Sequence, residues 1–220
     1  MATYLAKQSV TPALSLTVDY GQKAAKRELA AAYMLAKELD IPHRTVWIPY
    51  LREAASGALV DSRTEVPRPT AADLDDFKGA AARSAKAVWV PNRNLALITM
   101  AATWAEANDI KHVIVGFNRE EGATFPDNSA AFVDAVNSAL SYSTANHVEV
   151  ISPTLGMDKH EMIEVARRND FPIELCWSCY LGGDEPCRTC ESCRRFERAV
   201  ELAGAAEWLD QRRKKRNFRP

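Results

Sequence analysis

Four closely spaced cysteines near the C-terminus have the residue type and spacing of a metal site. They are Cys179, Cys187, Cys190 and Cys193, in the segment C-Y-L-G-G-D-E-P-C-R-T-C-E-S-C. Four thiolates at such separations can close on one tetrahedral Zn²⁺ with bonds of roughly 2.3 Å, and four protein ligands leave no open position for a substrate. The pattern therefore predicts a structural zinc site that stabilises the fold rather than taking part in the reaction.

Other interpretations of the cysteines stay open at this point. The four thiols could be unrelated or form two disulfides. Cys176 could replace Cys179 as a ligand because C-W-S-C is itself a C-x-x-C pair. We prefer Cys179 because it lies nearer the Gly182-Gly183 turn, which supplies the chain reversal that a zinc knuckle needs. Reduced, metal-bound cysteines are typical of a cytoplasmic protein.

The composition is that of an ordinary soluble globular chain. Of its 220 residues 47% are apolar and 26% are charged, with a formal net charge of −1. There is no overall basic field, so direct nucleic-acid binding is not expected, and the local run Arg212–Arg216 (R-R-K-K-R) is interpreted as a solvated end. No apolar run approaches the ~20 residues of a membrane span, and no signal-peptide pattern is present, so we expect no membrane association.

Strand and helix patterns alternate along the chain. They predict an α/β fold, a parallel sheet with helices on both faces. The weakly patterned stretch Tyr50–Ala87 is predicted to be a long, partly helical and mobile insertion or active-site loop. The predicted strands are Leu14–Tyr20, His43–Ile48, His112–Phe117 and Val148–Ile151. The predicted helices are Lys23–Leu39, Asn94–Asn108, Ala130–Leu140, a helix that opens at the capping box Asp158-x-x-Glu161 and runs through Arg168, and Glu191–Gln211.

Polar motifs follow the predicted strands. D-Y-G-Q (Asp19–Gln22) comes directly after the first strand, and G-F-N-R-E-E-G-A-T-F-P-D-N-S (Gly116–Ser129) after the third, while V-P-N-R-N (Val90–Asn94) leads into a central helix. Ligands of open α/β sheets bind beyond the carboxyl ends of the strands. The motifs are therefore predicted to share one binding edge.

Two cationic residues, Arg93 and Lys159, lie at predicted helix N-termini, where they could bind an anion. Arg93 lies at a helix N-terminus, where its charge and the backbone N–H groups favour an anion. Lys159 lies in the first turn of a helix, where a cation opposes the helix dipole unless an anion is present. Taken singly, Asp19 could be a turn former and Asp127 a helix cap. The convergence of these residues on one edge favours a shared site.

Together these residues resemble the 7-cyano-7-deazaguanine synthases, of the ATP pyrophosphatase superfamily. The resemblance covers about residues 1–200 and rests on D-Y-G-Q, V-P-N-R-N, the segment from Gly116 to Ser129, and the W-S-C-Y…C-x-x-C-x-x-C loop. Members of that family usually have V-P-G-R-N. Asn92 replaces the glycine here, a mild departure because Asn tolerates left-handed backbone angles.

The resemblance implies an adenine nucleotide alpha hydrolase-like fold and ATP-dependent ligase chemistry in deazapurine biosynthesis. The small-molecule substrates would be 7-carboxy-7-deazaguanine, ammonia and ATP with Mg²⁺, the zinc would be structural, and the protein would be a cytoplasmic homodimer. Residues 1–170 would form the α/β domain and residues 171–220 a zinc-binding segment packed on it. The implied catalytic residues are Arg93 and Lys159. The implied substrate- and nucleotide-binding residues are Asp19, Tyr20, Gly21, Gln22, Asn94, Gly116, Phe125, Pro126 and Asp127.

One departure from that family concerns the N-terminus. The family begins with a strand and a phosphate-binding loop S-G-G-x-D-S, whereas Met1–Lys7 here resembles the helix that follows the loop. A truncated gene or an internal start is expected, and a catalytically inactive relative that binds zinc and a nucleobase is the alternative. A zinc-containing tRNA-modification or nucleic-acid-binding protein is a third hypothesis. The missing strand would lie between Leu14–Tyr20 and His112–Phe117. We therefore expect a gap between these two strands or their direct pairing, with poor stability and no ATP hydrolysis.

Overall fold

The computed structural model describes residues 1–76 and 78–215. The chain divides into two compact units. The first unit contains Met1–Pro12 and Asn92–Asp158, and the second contains Ala13–Pro91 and the described residues from Lys159 onward. The cysteine-rich segment thus belongs to the same unit as the first two strands. The division into domains at residue 170 stays a prediction.

The four described strands are parallel and lie in two separate sheets. In the second unit β1 (Ser15–Asp19) pairs with β2 (His43–Trp47), and Asp19 is the register partner of Trp47. In the first unit β3 (His112–Ile114) pairs with β4 (Glu149–Ile151). Parallel strands joined by helices confirm the predicted α/β class. β1 and β3 belong to different sheets, so among the described residues they do not pair directly.

About half of the described residues outside the strands are in α-helices. These helices are α1 (Ala2–Ala6), α2 (Ala25–Glu38), α3 (Pro49–Ala54), α4 (Ala80–Val88), α5 (Arg93–Ala107), α6 (Arg119–Gly122), α7 (Ala130–Ser143), α8 (Lys159–Arg168), α9 (Glu191–Leu202) and α10 (Ala206–Lys215). Short 3₁₀ turns cover Ala72–Asp75, Pro126–Asn128 and Ile173–Leu175. The helices predicted between residues 23 and 168 are confirmed, with ends that shift by at most three residues, close to the usual uncertainty of helix boundaries. The insertion is partly helical, as predicted, through α3 and α4.

The core of the first unit lies between its sheet and two long helices. Buried residues of α5 and α7 pack on the strand residues Val113 and Val150. The other members of this core cluster are Ile98, Ala102, Ala105, Phe117, Val133, Val136, Leu140 and Val148. Ser129 caps α7 by accepting a hydrogen bond from the N–H of Phe132 at 3.2 Å. Burial of this apolar surface holds the ends of β3 and α5 in place.

Two predicted elements differ from the structure. The strand predicted to reach Phe117 ends at Ile114, because the Phe117 carbonyl turns to accept hydrogen bonds from the hydroxyls of Ser152 and Thr154 at 2.9 and 2.8 Å. The helix predicted over Glu191–Gln211 is two helices. Gly204 adopts a left-handed conformation (φ +56°) and ends α9, since a residue without Cβ takes that conformation at little steric cost.

Among the described residues, no helix is both long and apolar enough to cross a membrane.

Candidate functional site

The four predicted cysteines come together in the second unit. Their Sγ atoms all lie within 4.8 Å of one another, and those of Cys187 and Cys193 are 4.0 Å apart. Sulfurs on a tetrahedral zinc with 2.3 Å bonds lie about 3.8 Å apart, so the cluster fits this ion. Cys179, Cys190 and Cys193 are buried, whereas Cys176 is exposed and does not belong to the cluster.

Backbone groups and neighbouring thiols prepare the cluster for a cation. The N–H groups of Leu181 and Cys187 donate to Cys179 Sγ at 3.3 and 3.4 Å, and the N–H of Cys190 donates to Cys187 Sγ at 3.3 Å. Hydrogen bonds from Cys190 and Cys193 lower the pKa of Cys179 to about 2, and the contact with Cys179 raises the pKa of Cys190 to about 12. One thiolate thus suppresses ionisation of its neighbour, and a divalent cation removes that repulsion.

The helix after the cysteines is anchored to the insertion. Glu191, the first residue of α9, pairs with Arg195 at 2.9 Å, and both residues are buried. Ser84 of α4 donates to the Glu191 carboxylate at 2.5 Å, and Arg195 donates to the carbonyl of Leu74 at 3.0 Å. Much of the insertion is therefore held against the cysteine-bearing helix by a hydrogen-bonded buried ion pair.

The D-Y-G-Q turn after β1 has its own hydrogen-bond network. Asp19 Oδ1 accepts from the N–H of Gly21 at 2.9 Å, and Gln22 Oε1 accepts from the N–H of Tyr20 at 3.0 Å. The Gln22 amide donates to Glu28 of α2 at 2.8 Å. Gln22 is buried, so its side chain positions this turn. The expected contacts of Asp19, Tyr20, Gly21 and Gln22 with a nucleotide stay predictions.

The beginning of the insertion packs on the same turn. Gly21 has a left-handed φ of +85°, and a Cβ there would lie 2.5 Å from Cδ of Arg52, so both the backbone and the packing favour glycine. Lys23 donates through its N–H to the carbonyl of Leu59 at 2.8 Å and through Nζ to the carbonyl of Thr64 at 2.6 Å. The turn and the insertion thus form one packed assembly.

In the first unit, Arg93 and Asp127 lie at one place, the N-terminus of α5. Asn92 is left-handed (φ +56°), which its side chain tolerates, and α5 begins at Arg93. Arg93 Nε donates to Asn94 Oδ1 at 3.2 Å, and the amide of Asn94 donates to the carbonyl of Asp127 at 3.3 Å. Arg93, Asn94 and Asp127 were all predicted from the sequence to be site residues.

Asp127 is a half-buried carboxyl group beside a cation. Burial raises its pKa, and the charge of Arg93 and a hydrogen bond from Asn128 at 3.1 Å oppose that rise. The 3₁₀ turn Pro126–Asn128, which follows Phe125, holds the carboxyl there. Such an acid can accept hydrogen bonds from ring N–H or amino groups of a ligand.

The segment between β3 and this turn is organised by a residue that the sequence did not single out. Asn118 is buried and caps α6, where its side chain accepts from the N–H of Glu121 at 3.0 Å. The position of Asn118 two residues before the acidic pair Glu120-Glu121 is a capping signal that could have identified this residue.

Gly116 is not explained by packing. A Cβ on Gly116 would make only an ordinary contact, at 3.9 Å from Cβ of Ala2.

Lys159 is the first residue of α8, in the second unit, and so lies in the first turn of a helix as predicted. The adjacent Asp158 accepts two hydrogen bonds from Arg119, at 3.0 and 2.6 Å. The shared pocket predicted for Arg93, Asp127 and Lys159 stays a prediction.

The basic run near the C-terminus is partly neutralised within the protein. Arg212 pairs with the buried carboxylate of Glu174 at 2.7 Å and also with Asp170. Lys214 pairs with Asp210 at 2.7 Å. These pairs reduce the positive charge available to a polyanion. Arg216 lies outside the described residues.

Comparison with known proteins agrees with these motifs. The chain matches the family "Queuosine biosynthesis protein QueC" over residues 1–204. It is 50% identical over 197 residues to a 7-cyano-7-deazaguanine synthase of Desulforudis audaxviator, covering 90% of this chain and 89% of that protein. It is 39% identical over 213 residues to the 7-cyano-7-deazaguanine synthase of Methanosarcina mazei, covering 96% and 92% of the two chains. The cysteine cluster and the residues around D-Y-G-Q and Arg93 thus lie in a chain that belongs to the QueC family.

Proposed function

We propose that this protein is a 7-cyano-7-deazaguanine synthase, which converts 7-carboxy-7-deazaguanine, ammonia and ATP to the nitrile. The observation that carries the proposal is the high identity, over nearly the whole chain, to proteins of that name. The polar groups assembled around Arg93 and Asp127 are compatible with binding an anionic nucleotide and a nucleobase. A carbon–nitrogen ligase fits both observations.

The proposed reaction has two adenylation stages. The substrate carboxylate attacks the α-phosphorus of ATP, which gives an acyl-adenylate and pyrophosphate. Ammonia then displaces AMP at the acyl carbon and leaves the amide after loss of a proton. The amide oxygen attacks a second ATP with loss of pyrophosphate, and the resulting O-adenylated imidate loses AMP and both of its N–H protons to give the nitrile. The protein supplies positioning and stabilisation of negative charge at phosphorus and at the acyl oxygen.

Specific residues are assigned to these tasks. Arg93, at the start of α5, and Lys159, at the start of α8, stabilise the α-phosphate and the departing pyrophosphate. Asp127 accepts hydrogen bonds from the deazaguanine, and Phe125 offers a ring for stacking. The D-Y-G-Q turn contacts the adenosine through Asp19 and the backbone that Gln22 holds in place.

Two metal ions belong to the proposal in different ways. The cysteine cluster fits a zinc ion, and with four thiolates around it that ion stabilises the local fold without contacting a substrate. Mg²⁺ would accompany ATP and would neutralise part of the phosphate charge.

The test is nitrile formation from 7-carboxy-7-deazaguanine with ammonia and ATP, followed together with AMP release. Formation of both products would support the proposal and would show that the expectation of no ATP hydrolysis by this chain is wrong. Arg93→Gln and Lys159→Gln are each expected to lower kcat about 100-fold or more, because each removes a charge-assisted contact to the reacting phosphate. Lys111→Gln, on the exposed residue before β3, is the matched control and is expected to keep full activity. Substrate binding without turnover would indicate the inactive relative instead, and turnover unaffected by both variants would refute the assigned roles.

A further inference from the structure

The cysteine-rich loop approaches the start of α2 more closely than a side chain would allow. A Cβ on Gly182 would lie 2.4 Å from the carbonyl oxygen of Lys23 and 3.4 Å from Cα of Ala24. Both neighbours are backbone atoms, which cannot move away without shifting α2. The loop therefore packs directly on the chain that follows the D-Y-G-Q turn.

Arg27 of α2 makes further contacts with this loop. Its Nε donates to the carbonyl of Gly183 at 2.8 Å, and its Nη2 donates to Asp184 at 2.7 Å. The guanidinium also lies over the ring of Trp177, 5.3 Å from the ring centroid. Asp184 is fully exposed, so the solvent-screened ion pair contributes least and the carbonyl contact and the aromatic contact contribute most.

Trp177 connects the Arg27 contacts to the cysteine cluster. Its indole Nε1 donates to the carbonyl of Cys179 at 3.0 Å. The sulfur of the same cysteine accepts from the N–H of Leu181, at the beginning of the loop that Arg27 holds. A metal held by Cys179 would therefore restrain Trp177 and the beginning of the loop, which Arg27 contacts.

The same helix also contacts the D-Y-G-Q turn. Glu28, the residue after Arg27, accepts a hydrogen bond from the buried amide of Gln22 at 2.8 Å. The N–H of Ala25 donates to the Gln22 carbonyl at 3.0 Å. Contacts therefore run without interruption from Cys179 through Trp177 and Arg27 to Gln22.

We propose that Arg27 is a positioning residue that ties the turn to the cysteine loop, so that metal occupancy of the cluster sets the nucleotide affinity of the turn. The part concerning affinity rests on the proposed function. It gives the metal centre a role in substrate binding in addition to its contribution to folding. A planar guanidinium can hold a carbonyl and stack on an indole at once, which a lysine ammonium cannot do.

The experiment measures the turn directly. Hydrogen exchange is followed at the amides of Tyr20, Gly21 and Lys23, all of which donate hydrogen bonds within the second unit, in the zinc-loaded chain and after chelation. Arg27→Gln is expected to retain one zinc per chain and to raise exchange at these amides roughly three- to tenfold, as local opening becomes easier. Chelation of the wild-type chain is expected to give the same rise. Lys26→Gln, on an exposed neighbour in α2, is the matched control and leaves exchange unchanged.

Kinetics provide the second measurement. Arg27→Gln is expected to raise KM for ATP about tenfold and to change kcat less than about twofold, since a tenfold change corresponds to loss of a contact of this strength. If Arg27→Gln does not fold, the same measurements are made on Arg27→Lys. This variant keeps the positive charge but loses the planar set of N–H donors of the guanidinium.

The outcomes separate this proposal from the proposed function. Unchanged exchange in a zinc-loaded Arg27 variant overturns the proposal, and so does a raised exchange without any rise in KM. A wild-type chain that makes no nitrile refutes the proposed function and the link to affinity. In that case the exchange data alone still decide whether Arg27 ties the turn to the loop.

Discussion

Glu191 and Arg195 form a buried ion pair one helical turn apart, on the helix that carries the last of the clustered cysteines. The charged atoms are 2.9 Å apart, and the residues are only 2% and 4% exposed. Such a pair in a nonpolar environment is stable only when its remaining polar atoms are also bonded, which Ser84 and the carbonyl of Leu74 achieve. The pair therefore links the metal centre to the insertion.

Removing one partner of this pair should be costly. Arg195→Met leaves the Glu191 carboxylate buried without its cation, and we expect the free energy of unfolding to fall by about 3–5 kcal/mol. Arg198→Met is the control. Arg198 is on the same helix as Arg195 but pairs with the largely exposed Asp75 of the Ala72–Asp75 turn, so its loss should cost no more than about 1 kcal/mol. Urea denaturation measures both variants. Equal losses would show that burial does not distinguish the two pairs.

The metal ligands can be separated from the remaining cysteine. Cys190→Ser is expected to lose the bound zinc, because three thiolates and a hydroxyl bind Zn²⁺ far more weakly than four thiolates. Cys176→Ser should retain one zinc per chain, since Cys176 lies outside the cluster. Metal analysis of the purified variants is the measurement. Full retention in Cys190→Ser, or loss in Cys176→Ser alone, would contradict the ligand set.

Asp127 should make stability depend on pH. Burial raises its pKa above 3.8 in the folded protein, so the folded state prefers the protonated acid. The contribution of protonated Asp127 to the free energy of unfolding is complete below pH 3.8 and is lost as the pH rises through the raised pKa. Asp127→Asn should therefore stabilise the chain at neutral pH, by an amount that declines to zero in acid, while it weakens substrate binding.

Unfolding free energies of wild-type and Asp127→Asn chains between about pH 3 and 7 test this expectation. If Asp127→Asn instead destabilises the chain at neutral pH, and this loss vanishes in acid, Arg93 stabilises the carboxylate more than burial penalises it. Asn128→Ala removes the hydrogen bond to Asp127 and should raise the pKa of Asp127 further.

Gly182 and Gly183 provide a matched pair for the close approach of the cysteine loop to α2. Neither has a positive φ, so their substitutions differ in packing alone. Gly182→Ala would place a methyl group 2.4 Å from the Lys23 carbonyl oxygen and should cost about 1–3 kcal/mol. At Gly183 a Cβ would lie 3.5 Å from its nearest neighbour, the carbonyl oxygen of Glu185. Gly183→Ala should therefore be neutral or stabilise the fold by up to about 1 kcal/mol. Thermal unfolding of both variants is the measurement, and equal midpoints would argue against a tight contact.

Local patterns in the sequence determined most of the secondary structure and the composition of the cysteine cluster. The apolar run from Leu14 and the helical spacing after Lys23 act through neighbouring residues, so they can be recognised without the fold. The two C-x-x-C turns similarly bring their sulfurs together through local geometry. The ends of the elements were less predictable. The hydroxyls that end β3 come from residues 35 and 37 positions away from Phe117.

Contacts between distant residues were decided only by the tertiary structure. In sequence, Glu191 and Arg195 have the spacing of an ordinary exposed helix pair, and nothing local shows that Ser84 and Leu74 will cover them. Arg212 lies in a basic run, yet in the structure it forms an ion pair with the buried Glu174. The sequence alone thus determined which groups are available for metal binding and chemistry. The tertiary structure decided which of them are buried and paired, because desolvation and hydrogen bonding depend on partners that only folding brings together.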